Sequence, residues 1–366
     1  MSSKTRAGIE GHKAERFGLG RFDDLPDVAP ELPAHDRDLV DEADIDRAKS
    51  IFQDLVKEVD VVVENFTPGA MSRLGLGYAD LKDLNPGLIY AAISGYGQTG
   101  PNSAKPGYAS VTEAYSGFRY VNGFPGGVPV RPNLSVGDTV AGLHAVLGIL
   151  LALLARKGDQ SGGGQVVDVA LYEAMFNLME GIVPEYDGAN QIRQPSGSTL
   201  TGIVPTNTYL CADEKHVVIG ANGDSIYRRL MEAMGRSDMA NDARYADNAG
   251  RVEHESVIDA AIAQWTGSLA SQEVIRLLEE ADVPVGPIYA ADDMLTDEHY
   301  QARGLFEDVQ VGENQLKIPA IMPKLSKTPG RTDWPGGEVG THTDEILHEV
   351  GYAESEIAEL RKNGHV

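Results

Sequence analysis

The chain has a single cysteine, Cys211, in 366 residues. An intrachain disulfide is therefore impossible, and so is a cysteine-based metal cluster. Basic residues are also scarce. There are 31 Lys and Arg against 55 Asp and Glu, a net charge of −24. Neutralising phosphates needs a basic surface, so nucleic acid is excluded as a partner, and an anionic membrane surface with it. An acidic surface stays hydrated when salt screens its self-repulsion, which suits a salt-adapted source. The first residues, MSSKTRAGIEGHKAERFG, contain no apolar run and cannot serve as a signal peptide. The longest apolar run, residues 140–155, is interrupted by His144 and is short for a membrane span. The expected location is the cytoplasm. P-loop, HExxH, GxSxG and EF-hand patterns are all missing. No histidine pairs with a carboxylate or cysteine at ligand spacing, so no metal site is expected.

What is present is a core. Hydrophobic residues make up 42% of the chain, and its length suits two or three domains. The organising stretch is residues 133–158, NLSVGDTVAGLHAVLGILLALLARKG. A Gly-Asp pair opens a long apolar helix, and Arg156, Lys157 and Gly158 close it. Val140, Leu143, Val146, Leu147, Leu150, Leu151 and Leu154 cover most of its circumference, which predicts a helix buried on nearly all sides. Asp138 sits where this helix begins, facing the positive end of its dipole. Asp is a preferred cap, so taken alone Asp138 reads first as a cap and second as a catalytic group. His144 reads as a satisfied core histidine, and Asp168, inside VVDVA, as structural.

Along the chain, residues 1–40 are rich in Asp and Pro and read as an irregular leader. An amphipathic helix follows, then the β-branched run VDVVVENF, read as a buried parallel strand. LIYAAISGYG reads as a second buried strand ending in the glycine loop GYGQTGPNSAKPGYA. Residues 110–120 read as one helix, and QVVDV as a further strand. Strand, helix and strand with a glycine loop at the strand's C-terminal end is α/β organisation, in which ligands bind at that edge. Residues 185–207 read as a polar linker or a loop over a site. The segments from 205 to 305 suggest a smaller α+β domain, and 306–366 a C-terminal segment returning to the large domain of 41–204. The large domain is read as a Rossmann-like open sheet.

Several of these stretches, in this order, resemble the family III CoA-transferases. They are VVVENFTPGAMSRLGLGYADLKDLNPGLIYAAISGYGQTGP, SVGDTVAGLHAVLGILLALLAR, GGGQVVDVALYEA and the final THTDEILHEVGYAESEIAEL. The stretches 117–138 and 183–207 are similar to the branch that moves CoA between small dicarboxylic acids. The resemblance implies covalent catalysis. An aspartate at the start of this helix attacks an acyl-CoA thioester, and the reaction passes through an acyl-aspartyl anhydride and an aspartyl-CoA thioester. It places Asp138 as that nucleophile. It places Asn65, Phe66, Thr67 and Arg73 on CoA-contacting positions, and Pro106, Gly107, Tyr108 and Ala109 on a further one. Ser196, Gly197, Ser198 and Thr199 fall on a glycine-rich loop over the active site, with Gly197 the only glycine retained. No cofactor is permanently bound. Coenzyme A and acyl-CoA are substrates, together with small carboxylic acids. Ala109 stands where many relatives carry an acid. Neither it nor Tyr108 supplies the histidine of the related racemases, which argues against acyl-CoA racemase chemistry. The family also opens with an LDL…AGP…GADVIKIE strand and glycine loop, and residues 1–59 contain nothing like it. The resemblance therefore implies a Rossmann-like domain incomplete at its N-terminus, and a homodimer or a hetero-oligomer with a related chain. The alternative activity is that of a catalytically impaired or partner-dependent subunit.

Overall fold

The computed structural model describes residues 42–158 and 162–366. The leader expected over residues 1–40 lies outside the described residues. By its contacts the chain divides into two units.

The first unit comprises the described residues up to Asp60, with Ser72–Leu88 and His342–Val366. Its first described helix, α1 (Glu42–Glu58), buries Ile51 against residues from the C-terminal end of the chain. Those residues are Leu347, Ile357 and Leu360, from the two terminal helices Thr343–Glu349 and Glu354–Lys362. The Tyr352 hydroxyl donates to Asp54 Oδ2 at 2.9 Å, and the Arg47 guanidinium lies 5.4 Å from the Tyr352 ring centroid. The Asn85 amide closes the end of α1 by donating to the Val56 and Val59 carbonyls at 2.9 and 2.8 Å.

The second unit comprises Val61–Met71 and Ile89–Thr341. It is built on a parallel sheet of β1 (Val61–Glu64), β2 (Ile89–Ser94) and β3 (Gln165–Ala170), in the order β1-β2-β3. The register pairs Val61 with Ile89 and Ile89 with Gln165. The central strand β2 is buried almost throughout, as its apolar run predicts. β1 is not the fully buried strand expected. It lies at an edge of the described sheet, and Val63 is more than half exposed while Val62 is buried. The short helix α2 (Ala70–Arg73) follows β1 and crosses the boundary between the units, and α3 (Tyr78–Leu81) belongs to the first. The helix expected over 110–120 is two, α4 (Ala109–Tyr115) and α5 (Phe118–Val121). Gly117 breaks it at φ +91°, a conformation that glycine adopts without strain.

The long helix α6 runs from Val136 to Gly158. Two expectations about it are corrected. Asp138 is its third residue, inside the first turn, and so is not its cap. Nor is the helix buried on nearly all sides. The side against the sheet is a stripe of small residues. Gly137, Ala141, Ala145 and Ala152 are buried, and Ala141 and Ala145 pack with Val169, Leu171 and Ala174. A Cβ on Gly148 would lie 2.6 Å from Val167 Cγ1, so β3 approaches the helix as closely as glycine allows. The large residues Leu143, Val146, Leu147, Leu150, Leu151 and Leu154 point away, each 55–67% exposed. Small residues let a helix lie close on a sheet, and at 3.6 residues per turn the bulky ones then fall on the opposite face. By length and composition alone, α6 is also long and apolar enough to cross a membrane, which the 16-residue run 140–155 understated.

After β3 come α7 (Leu171–Phe176) and α8 (Ile182–Ala189), the latter running into the start of the stretch read as polar linker. A separate core occupies residues 204–283. There β4 (Thr206–Leu210), β5 (His216–Gly220) and β6 (Val285–Pro287) form an antiparallel sheet in that order. Helices Asp224–Ala233, Glu255–Thr266 and Ser271–Glu280 pack Leu230, Ile258, Ile262 and Leu278 into that core. Arg251 is fully buried there, and its guanidinium donates to the carbonyls of Val204, Tyr245 and Asn222 and to Asp224. β7 (Phe306–Val311) and β8 (Asn314–Pro319) then form a hairpin at the start of the segment read as a C-terminal return to the large domain.

Candidate active site

The C-terminal ends of β1 and β2 and the N-terminus of α6 surround a cavity of about 430 Å³. Asn65, Phe66, Thr67 and Pro68 follow β1, and Ile93, Ser94 and Gly95 end β2. Lys105, Pro106, Gly107 and Tyr108 line another side, and Asp138 and Leu171 complete the lining. This is the edge at which an open α/β sheet binds its ligands.

The backbone sets these segments together. A Cβ on Gly95 would lie 2.8 Å from the Gly107 carbonyl oxygen, and one on Gly107 would lie 2.9 Å from the Tyr96 ring. Only paired glycines let the β2 loop and the 105–108 segment touch backbone to backbone. The loop is held from below by Asp168 on β3, whose carboxylate accepts the Gln98 N–H at 3.1–3.2 Å. That gives the structural reading of Asp168 a specific content. Tyr96, Tyr115 and Tyr172 pack under it edge to face, with centroids 5.2–5.3 Å apart for the two closest pairs.

Glu64 shapes the β1 side. It is buried, and its Oε2 accepts the Phe66 N–H at 2.8 Å, turning the chain so that residues 65–68 face the cavity. Burial, with the nearby Asp168 charge, pushes the Glu64 carboxyl above its ordinary value, although the Phe66 N–H pulls it down. The folded chain thus holds the proton of Glu64 more tightly than the unfolded chain does, and ionising it costs stability. As pH rises through the raised value, this group removes stability. Glu64→Gln keeps an acceptor for Phe66 and escapes that loss. Urea unfolding of both proteins between about pH 4 and pH 7 should show the variant gaining on the wild type as pH rises. A difference that stays flat with pH would refute this account of Glu64.

Asp138 has no hydrogen-bond or ion-pair partner among the described residues and stands exposed in the first turn of α6. The first turn of a helix leaves N–H groups free and favours negative charge. His144, one and a half turns further on, is engaged with the Val140 carbonyl at 2.8 Å and the Asn177 amide at 3.2 Å.

The residues singled out in the sequence divide into three groups. Asn65, Phe66, Thr67, Pro106, Gly107, Tyr108 and Asp138 meet around one cavity. Ala109 does not line it: the residue is buried at the start of α4, beside Gly137. Arg73 is exposed at the end of α2, in the other unit. Ser196, Gly197, Ser198 and Thr199 form a tied turn that is not part of this lining. Ser196 Oγ donates to the Thr199 carbonyl at 2.7 Å, Gly197 N–H to the Gly123 carbonyl at 2.8 Å, and Ser198 Oγ to Asn207 Oδ1 at 2.6 Å. Two residues were overlooked in the sequence. Lys105 gives the lining its one cation, beside Pro106. Glu113 is fully buried behind the site in α4; an acid in the otherwise uncharged ASVTEAY was the available signal. A second cavity of about 290 Å³ lies beside Lys215, His216 and Tyr289, and its Ser271 hydroxyl donates to Asp213. Among the described residues no three His, Cys, Asp or Glu side chains converge on a metal-sized site.

A parallel α/β sheet with an unpartnered carboxylate in the first turn of a helix, lining a cleft at the strand ends, is an arrangement in which α/β enzymes bind their ligands. The family model "CoA-transferase family III" matches residues 41–343, and the chain belongs to that family of transferases. It is 40% identical to a succinyl-CoA–D-citramalate CoA-transferase of Chloroflexus aurantiacus, over 96% of this chain and 88% of that one. It is 39% identical to the alpha subunit of a succinyl-CoA–L-malate CoA-transferase of Chloroflexus aurantiacus, over 85% of this chain and 73% of that one. Among solved structures, a CaiB/BaiF family protein from Brucella suis superposes with a TM-score of 0.72 at 28% identity, covering 82% of this chain and 78% of that one.

Proposed function

We propose that this chain moves CoA from an acyl-CoA thioester, succinyl-CoA among them, to a small dicarboxylic acid, with Asp138 as the nucleophile. The observation that carries the reading is the unpartnered Asp138 carboxylate in the first turn of α6, inside a cavity bounded by residues 65–68 and 105–108. The relatives support the substrate class, since two of them pair succinyl-CoA with citramalate or malate in their names.

The chemistry runs in four displacements. An Asp138 oxygen attacks the thioester carbonyl, the C–S bond breaks, and an acyl-aspartyl anhydride and CoA thiolate result. The thiolate then attacks Cγ of Asp138 and expels the donor acid as its carboxylate, leaving an aspartyl-CoA thioester. The acceptor carboxylate attacks the same Cγ and releases the thiolate. The thiolate finally attacks the acceptor carbonyl of that second anhydride, which forms the new thioester and returns Asp138 as carboxylate. Each tetrahedral oxyanion forms beside the N-terminus of α6, where N–H groups and the helix dipole favour it. Lys105 supplies a cation for the phosphates of CoA at the rim. Phe66 and Tyr108, both largely exposed, offer apolar surface to the rest of the molecule.

Another chain of this family covers the outer face of α6. The support is the row of exposed Leu and Val on that helix, together with a relative named as an alpha subunit. The partner-dependent reading of the activity rests on the same two observations.

The mechanism is tested by trapping. The protein is incubated with succinyl-CoA, treated with borohydride or hydroxylamine, and the modified peptide is mapped by mass spectrometry. Modification at Asp138 is the expected result. Turnover without a label at Asp138, or a label on another carboxylate, would sink the mechanism.

A further inference from the structure

The Asp138 turn is held from behind by a buried acid in another helix. We propose that Glu113 is a positioning residue, which sets the aim of Asp138 through the backbone of Gly137. The proposal rests on the reading of Asp138 as nucleophile.

Glu113 lies in α4 with no exposed surface. Its Oε1 accepts the Gly137 N–H at 3.2 Å. Its Oε2 accepts from Arg119 Nη2 at 3.3 Å, so the carboxylate is gripped at both oxygens. The Ser116 hydroxyl donates to the Glu113 carbonyl at 2.8 Å and fixes the end of α4. Gly137 N–H is one of the donors that the first turn of α6 leaves without an intrahelical acceptor. Here the acceptor is a side chain from a different helix, so α4 and the first turn of α6 are tied at one point, immediately before Asp138. The approach needs glycine. A Cβ on Gly137 would lie 3.1 Å from Ala109 Cβ and 3.2 Å from Glu113 Oε1, tighter than ordinary packing. Ala109 thus has a role other than the acid that many relatives carry there: it is the small wall against which the Asp138 turn rests.

A carboxylate that must attack a carbonyl carbon is sensitive to small displacements. An error of about 1 Å costs on the order of a hundredfold in rate. Without the Glu113 acceptor, the first turn of α6 is free to rotate or fray by that much. Glu113 itself is not in the cavity lining, so binding of CoA should not feel its loss.

The test is exchange of labelled succinate into succinyl-CoA by the full chain, which needs no knowledge of the natural acceptor. Glu113→Ala is expected to lower kcat about 10- to 100-fold, with KM for succinyl-CoA within about twofold. Glu113→Gln presents the same oxygen to Gly137 N–H and is expected to stay within about threefold of the wild-type kcat. Gly137→Ala is expected to behave like Glu113→Ala, and it decides the matter if Glu113→Ala does not fold. Wild-type kcat in Glu113→Ala or Gly137→Ala would overturn the proposal, and so would a Gln variant as impaired as the Ala variant. Asp138→Ala in the same assay separates the two levels. If it still exchanges succinate, the reading of Asp138 has failed. If it is inactive while Glu113→Ala and Gly137→Ala are fully active, only the positioning role has failed.

Discussion

Asp138→Ala is expected to lose CoA transfer by a factor of at least about 10⁴ in kcat, the scale seen when a covalent enzyme loses its nucleophile. The fold should survive. Asp138 is exposed and makes no hydrogen bond or ion pair among the described residues, so its removal forfeits only its attraction to the helix dipole, about 0.3–1 kcal/mol. The two readings of the residue therefore differ in what is lost. A cap lost to alanine would cost on the order of 1 kcal/mol of stability and little activity. A nucleophile would cost the activity and almost no stability. Asp138→Glu refines the distinction, because it keeps the carboxylate but moves it by one methylene. It should form the acyl adduct slowly and leave substrate binding unchanged. Steady-state kinetics and thermal unfolding on the same preparations read both quantities. Exchange within about tenfold of wild type in Asp138→Ala would end the covalent reading.

β1 and β2 were legible because they are short apolar runs followed by Asn or glycine turns, and such a run fits a strand buried on both faces. β2 follows that pattern closely. Asp138 was legible as a residue at a helix start, but taken alone it read as a cap before a nucleophile, and only the resemblance reversed that order. α6 failed for a physical reason. Counting apolar positions treats Leu150 and Ala141 as the same kind of residue, although a close helix–sheet contact selects by size. Gly137, Ala141, Ala145, Gly148 and Ala152 recur at spacings of three, four and seven, which already drew the sheet-facing stripe in the sequence. The β4–β5 hairpin has no glycine in its turn, which puts Glu214 at φ +62°, so nothing local in the sequence separates its two strands. The β7–β8 hairpin turns at Gly312, φ +56°, in a stretch too polar to show a buried face. Contacts such as Glu113 with Gly137, 24 residues apart on different helices, have no local signature at all.

The outer face of α6 makes the second large prediction. Six Leu and Val side chains lie more than half exposed on one helix face. Burying one such side chain fully contributes about 1.5–3 kcal/mol, so covering all six from half exposure contributes on the order of 5–10 kcal/mol. That is enough to offset much of the cost of association and to hold two chains together at micromolar concentration. Leu147→Asp with Leu150→Asp places two carboxylates in the middle of that face. Buried without partners, each costs several kcal/mol, while on an exposed helix each costs only a few tenths through helix propensity. The wild type should therefore sediment as a dimer or larger assembly. The double variant should sediment as a folded monomer at the same concentration, with wild-type helix content by circular dichroism. Mixing the wild type with a related family chain distinguishes a second copy from a distinct subunit, since only the latter would draw the chain into a mixed assembly. A wild type that stays monomeric at tens of micromolar would refute the covered face, as would one that assembles only on lipid vesicles. A double variant that still assembles would place the contact elsewhere on the chain.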